Sequence, residues 1–286
     1  MFHGQSHVFN SLVFEETEVL LSFAWKIRLF TLFFLLFPHV RIWAEDPIDD
    51  LLEATFRIAD KEHSGTCFLV SPKSVDAANP RRVILATAAH VLEQMSGDDC
   101  EIFLRRKEDD GHYSRQPLTI AIRNLGKPLW TRHPDVDLSS LFLDLPEGVL
   151  FNPIPFEMVA DEVRVIDRTI RAGKETWIPC YPAKLEANDA GWPVLRHGSI
   201  ASHPLVPVKS VRTMLVDYKN FGGDSGAPVV MIVNNRPLVI GIVSGMHRQT
   251  DRSNLPFEER TMHTPMGLSI VTQAAYLRET IEIMSR

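Results

Sequence analysis

The sequence predicts an all-β protein of two lobes closed by a single C-terminal helix, and three observations predict it. From about Ala54 onward the chain is a succession of runs of four to eight residues rich in Val, Ile, Phe or Thr, each bounded by Gly, Pro, Asn or Asp. The proline-rich passage Asn152-Pro153-Ile154-Pro155 divides these runs into two series. Only residues 272–284 carry helical spacing, with Ala275, Leu277, Ile281 and Met284 on or near one face.

In chain order the first series is 55–59, 66–71, 83–88, 101–105, 118–123 and 138–143. The second is 163–170, 176–180, 194–201, 211–216, 227–233, 238–244 and 266–271. Lobes of 51–152 and 153–286 follow from that division. The polar stretches 108–116 and 247–265 are long for structureless connections in a compact domain, which marks them as mobile or functional loops. His133, His197, His203, His247 and His263 fall in polar surroundings and are expected on solvated loops.

Composition narrows the function. At 286 residues, 45% hydrophobic and 23% charged, the chain can bury a sizeable core. A formal net charge of -6 gives no electrostatic reason for it to bind nucleic acid, which needs a basic face. Cys67, Cys100 and Cys180 cannot all pair with one another, and none lies in a CxxC or a Cys/His cluster of zinc-ligand spacing. One disulfide is allowed, buried free thiols are the simpler expectation, and no metal or organic cofactor is called for.

Near the N-terminus, Lys26 and Arg28 precede the apolar run 29–37, then Pro38 and Ile42-Trp43-Ala44. Positive charge, a short apolar core and a small residue in that order make a secretory signal, so residues 1–44 are expected to direct export to the periplasm or the exterior, with cleavage after Ala44. Left uncleaved, the segment would anchor the chain to a membrane.

Three segments carry chemistry together. Ile84-Leu85-Ala86-Thr87-Ala88-Ala89-His90 runs a strand into small residues and a histidine. His133-Pro134-Asp135-Val136-Asp137-Leu138 is an acidic turn leading into a strand, and Phe221-Gly222-Gly223-Asp224-Ser225-Gly226-Ala227-Pro228 is a glycine-rich loop before an apolar strand. A serine is a weak nucleophile at its own pKa and needs a base within reach, which in turn needs a group to fix its tautomer. His, Asp and Ser supply those roles, and glycines beside the serine let backbone N–H groups turn toward a developing oxyanion. Strand alternation would put Asp135 on the same face as Asp137, so spacing alone leaves both open.

Thr87-Ala88-Ala89-His90 followed much later by Gly223-Asp224-Ser225-Gly226 resembles the trypsin/chymotrypsin-like serine proteases, the bacterial trypsin-like members in particular. The similarity extends from Gly65 to Ile283, through Gly65-Thr66-Cys67-Phe68-Leu69-Val70, Trp177-Ile178-Pro179-Cys180-Tyr181-Pro182, Gly241-Ile242-Val243-Ser244-Gly245 and Gly267-Leu268-Ser269-Ile270-Val271. The resemblance implies two antiparallel Greek-key β-barrels with a C-terminal helix and an endopeptidase acting on protein or peptide substrates without a cofactor. It implies Ser225 as nucleophile, His90 as base then acid, and Asp137, directly before the apolar strand, as the orienting carboxylate. The backbone N–H groups of Gly223 and Ser225 would form the oxyanion hole. Ser244 and Gly245 would lie beside the substrate, and Lys219 near the base of the primary pocket would favour acidic or small apolar residues at the cut.

Three departures stand out. Ala227 occupies the place of a second glycine, Val91 follows the histidine where animal members have a half-cystine, and no Ile-Val-Gly-Gly-like segment precedes the first strand. Asp224 therefore needs a partner other than a freshly cut N-terminus, with Lys219, Arg212 or a backbone N–H as candidates, and activity is expected without zymogen cleavage. The rival reading is a catalytically silent peptide- or protein-binding module on the same fold.

Overall fold

The computed structural model describes residues 46–73, 79–255 and 258–285. The expected signal or anchor at 1–44 lies outside the described residues. The described chain opens on a short helix, Pro47–Glu53, where Asp46 accepts the Ile48 N–H at 2.9 Å and Pro47 takes a first-turn position that needs no N–H.

The first lobe contains β1 (Thr55–Ala59), β2 (Ser64–Val70), β3 (Arg82–Thr87), β4 (Asp99–Lys107), β5 (Tyr113–Ala121), the two-residue strands β6 (Arg123–Asn124), β7 (Lys127–Pro128) and β8 (Thr131–Arg132), and β9 (Ser139–Asp144). Seven of these form an antiparallel sheet in the order β5-β4-β1-β2-β3-β9-β8. The second lobe contains β10 (Glu175–Cys180), β11 (Val194–Ile200), β12 (Thr213–Asp217), β13 (Pro228–Val233), β14 (Arg236–Leu255) and β15 (Glu258–Gln273), hydrogen-bonded into a closed barrel in the order β10-β11-β12-β15-β14-β13. The helix Ala275–Met284 follows and buries Tyr276, Leu277 and Ile281. The fold is all-β with a C-terminal helix, as the sequence predicts.

Period-two alternation explains why the middle of the first sheet is so apolar. On β2, Cys67 and Leu69 enter the core of the first lobe, whereas Phe68 and Val70 enter the core shared with the second. Leu85 and Ile84 of β3 divide in the same way. Strands buried on both faces read as continuous hydrophobic runs, and β2 begins and β3 ends beside the candidate site.

Several elements differ from expectation. The barrel closes in the second lobe, but the first remains a seven-stranded sheet. Its edge strand β8 is only two residues long, and the passage beyond β9 adds only isolated bridges such as Arg105 to Leu150 and Val70 to Ile154. Residues 163–170 do not make a strand. Asp161 caps a helical turn, Glu162–Ile166, by accepting the Arg164 N–H at 3.3 Å. The polar stretch 247–265 is no loop, because β14 and β15 continue past the barrel as one long hairpin paired from Arg248–Pro265 outward.

Arg105 on β4 is fully buried and ties the lobes together. Its guanidinium donates to the carbonyls of Leu52, Glu53 and Thr55 at 2.9, 3.2 and 3.0 Å, and to Gly191 O and the Tyr181 hydroxyl at 3.2 and 3.4 Å. The rings of Phe56 and Trp192 cover it at 4.3 and 4.4 Å. Burial pulls the guanidinium pKa down, yet an arginine stays charged across the working range of pH. Replacing it with an apolar residue leaves the buried Thr55 and Gly191 carbonyls without its donors, at a cost of roughly 1–3 kcal/mol for each unpaired group. Arg105→Met is therefore expected to lower the urea-unfolding free energy by about 3 kcal/mol or more. A loss below about 1 kcal/mol would show that the carbonyls are satisfied in another way.

Candidate active site

His90 is the second residue of a short helix, Ala89–Gln94, that starts as soon as β3 ends. The first N–H groups of a helix have no intrahelical acceptor, and here the Asp137 carboxylate takes one of them. Asp137 Oδ1 accepts the His90 main-chain N–H at 2.9 Å, and Oδ2 lies 2.6 Å from His90 Nδ1. An ionised carboxylate can only accept, so Nδ1 carries the proton and Nε2 of the neutral ring is left as an acceptor. Burial raises the Asp137 pKa, but the hydrogen bonds from the His90 ring and backbone, with the charge of Arg132, outweigh it and leave the carboxyl below its ordinary range.

The turn that presents Asp137 is held from several sides. His133 N–H bonds Leu138 O at 2.9 Å and Leu138 N–H bonds Val136 O at 3.0 Å. Contrary to the expectation of a solvated loop, the His133 ring is buried. Nδ1 accepts the Asp135 N–H at 3.1 Å, Nε2 lies 3.3 Å from Glu279 Oε2, and the ring stands edge-on to Tyr276. An imidazole nitrogen reaching the amide two residues on acts as an Asx side chain does, a local signal present in His133-Pro134-Asp135. Asp135 turns away to Arg212, 3.6 Å from its Nη2, so of the two acids it is Asp137 that meets His90. His197, His203, His247 and His263 are exposed, although His197, His247 and His263 lie on strands.

Ser225 arrives on a loop docked against the first lobe. Thr66 N–H bonds Ser225 O at 2.9 Å, Thr66 Oγ1 bonds Gly223 O at 2.8 Å, and Thr87 Oγ1 bonds Thr66 O at 2.8 Å. Gly226, at φ +88°, has no alternative: a Cβ there would stand 2.0 Å from Thr66 O and 2.2 Å from Thr87 Oγ1. Gly222 O accepts the Ala183 N–H at 2.6 Å, and in a trans peptide the following Gly223 N–H must point the opposite way. Among the described residues the N–H groups of Gly223 and Ser225 donate to no protein acceptor, while the Asp224 N–H between them bonds Phe221 O at 3.1 Å. Ala227 fits without strain because its φ is negative.

His90, Gly223, Ser225, Ser244 and Gly245 line one cleft of about 930 Å³. The Ser225 hydroxyl makes no hydrogen bond to His90 among the described residues, so the structure brings the three side chains to one cleft but joins only two of them. Ser244 Oγ bonds Ile270 O at 3.2 Å, and Gly245 O accepts Asn220 Nδ2 at 2.8 Å. Lys219 does not line the cleft. Its exposed ammonium lies 5.5 Å over the Phe221 ring, and the lysine and arginine that do line it are Lys184 and Arg248.

Asp224 is fully buried behind the loop. Of the candidate partners, the backbone N–H is the one present: Phe221 N–H bonds Oδ2 at 3.0 Å, whereas Arg212 serves Asp135. Oδ1 has no hydrogen-bond partner among the described residues, and the Cys180 thiol, which points to Val194 O at 3.8 Å, is a weak donor near the carboxyl. Burial pushes the Asp224 carboxyl above its usual range despite Phe221, Cys180 and Arg196. Cys67, Cys100 and Cys180 are all free and buried, and burial raises each thiol, that of Cys100 to about 12.

No family model matches the sequence, and no curated protein matches it. Among solved structures, it is similar to the Rv3671c protease of M. tuberculosis H37Rv in an inactive form, at 17% identity, with 86% of this chain and 96% of that one covered and a TM-score of 0.47. A serine-to-alanine mutant of the same protein gives the same identity and score over 93% of its length.

Asp224 gives a pH prediction. A carboxyl whose folded-state pKa is raised favours the folded state while protonated and opposes it once ionised, so its penalty grows as pH rises above about 4. Asp224→Asn is expected to be more stable than the parent at pH 7, with the difference closing on titration toward pH 4. Chemical denaturation at the two pH values measures this, and a difference that widens on acidification contradicts it.

Proposed function

We propose that this protein is a serine endopeptidase with Ser225, His90 and Asp137 as its triad. The observation that carries the reading is the grip of Asp137 on both the ring and the backbone of His90, which leaves Nε2 as a base in the cleft that Ser225 lines. Ser225 Oγ attacks the scissile carbonyl carbon and His90 Nε2 takes the hydroxyl proton. Asp137 stabilises the imidazolium, and the free N–H groups of Gly223 and Ser225 receive the oxyanion. The imidazolium then protonates the leaving amine, giving an acyl-enzyme that water resolves by the same steps in reverse. These steps use side chains and backbone alone.

The unmade Ser225–His90 bond favours one alternative, a silent peptide-binding module. Such bonds are often long before substrate binds and tighten in the complex. The residue order at 26–44 supports an exported protein.

Both readings meet in one experiment, labelling of the full-length protein by a fluorophosphonate. The wild type is expected to label on Ser225, Ser225→Ala not at all, and His90→Ala at least about 1,000-fold more slowly. The intact mass also reports whether residues 1–44 are removed in the cell. A folded wild type that fails to label puts the binding module first.

A further inference from the structure

The charge that lines the cleft runs against the charge of the chain. Although the protein carries a formal net charge of -6, the lysine, arginine and carboxylate side chains on the cleft wall are Lys184 and Arg248 against the single carboxylate of Glu62. Five arginines elsewhere are held in ion pairs: Arg57 and Arg115 with Glu186, Arg132 with Glu93, Arg212 with Asp135 and Arg236 with Glu157. Among the described residues neither Lys184 nor Arg248 makes a salt bridge or a side-chain hydrogen bond.

Both cations are held where they stand by the backbone. Lys184 follows Ala183 in the left-handed region, at φ +67° and +51°, a conformation that glycine or asparagine adopts at lower cost. Ala183 N–H on Gly222 O at 2.6 Å, Lys184 N–H on Tyr181 O at 3.2 Å and Leu185 N–H on Pro182 O at 2.8 Å keep it so. Strain of this kind persists where the surroundings over-determine it, characteristically at functional sites. Lys184 N lies 3.5 Å from where a Cβ on Gly223 would stand, beside the proposed oxyanion donors. Arg248 comes from the overhanging hairpin, where Met246, Arg248 and Thr250 share one strand face toward the cleft. Thr250 Oγ1 and His263 Nδ1, 2.9 Å apart, pin the two strands just beyond it.

Building on the protease reading, we propose that the cleft selects acidic polypeptide segments, with Lys184 and Arg248 reading a carboxylate side chain within a few residues of the bond to be cut. The two walls receive the carboxylate from different elements, the turn after β10 and the arm of β14. A cleft whose cations outnumber its carboxylate, in a protein of net negative charge, also concentrates such segments before they dock, an effect that salt weakens.

A mixed peptide library cleaved by the full-length protein, read by mass spectrometry beside fluorophosphonate labelling, tests this. Cleavage sites should be enriched in Asp or Glu, and added salt should raise KM for acidic peptides. Arg248→Gln and Lys184→Asn, the latter suited to the left-handed backbone, should each lower the selectivity for acidic over neutral peptides by about tenfold or more. Normal labelling with cleavage indifferent to acidic residues, preferring Lys or Arg, or unchanged in selectivity in both variants overturns this inference and leaves the protease reading standing. A folded protein that neither labels nor cleaves overturns both.

Discussion

Thr66 is the residue on which the cleft depends. It is fully buried on β2, and it engages three separate pieces of chain with its backbone and hydroxyl. Its N–H and Oγ1 hold Ser225 O and Gly223 O, its carbonyl accepts the Thr87 hydroxyl at the end of the strand leading to His90, and Oγ1 accepts the Tyr181 N–H at 3.3 Å. The histidine comes from one lobe and the serine from the other, so bulk apolar packing alone would leave their separation loosely set. Hydrogen bonds at one residue set it more narrowly. Neighbouring glycines make the contact close: a Cβ on Gly65 would meet Val91 Cγ1 at 2.7 Å, and one on Gly226 would overlap Thr66 O.

That closeness has a cost in the second lobe. Folding the serine loop down buries Asp224 with one oxygen on a backbone N–H and the other without a partner among the described residues, which is why its pKa rises while that of Asp137 falls. The turn at Ala183 and Lys184 adds left-handed backbone strain to hold the Gly222 carbonyl away from the cleft. Arg105 offsets part of this by fastening Tyr181 and Gly191, at the two ends of the following loop, to β1 and the first helix. Local rules are broken beside the reacting groups and compensated a few residues away, as expected where function rather than stability shapes a segment.

Much of this was legible in the residues. β2 and β3 stand out because burial on both faces makes their sequences uniformly apolar, and the small residues ending β3 lead into the histidine, although nothing in the spacing marks the helix Ala89–Gln94 that carries it. The resemblance, whose pattern sets the acid directly before the apolar strand, favours Asp137 over Asp135, which alternation alone does not. The helix at Glu162–Ile166 was hidden because Val163, Val165 and Ile166 have strand-like composition and only the Asp161 cap says otherwise. The His133 ring was misplaced because its partners, Glu279 and Tyr276, lie far along the chain. Counting back from Ser225 led to Lys219, but the cations at the cleft come from a turn and a hairpin whose lengths no motif fixes. Paired strands at 247–265 were read as a loop because an overhanging hairpin with both faces wet loses the apolar alternation of a half-buried sheet.

The measurement that tests this account most directly is the second-order rate of fluorophosphonate labelling in Thr66→Val. The substitution keeps the side-chain volume and the backbone bond but removes the hydroxyl from Gly223 O and the Tyr181 N–H, a loss of about 1–3 kcal/mol that a domain of ordinary stability survives. Displacing reacting groups by about 1 Å costs on the order of 100-fold in rate. The account predicts a variant with native near-ultraviolet circular dichroism that labels at least about tenfold more slowly than the wild type. A folded variant that labels at the wild-type rate would contradict it, showing that the serine is positioned without Thr66.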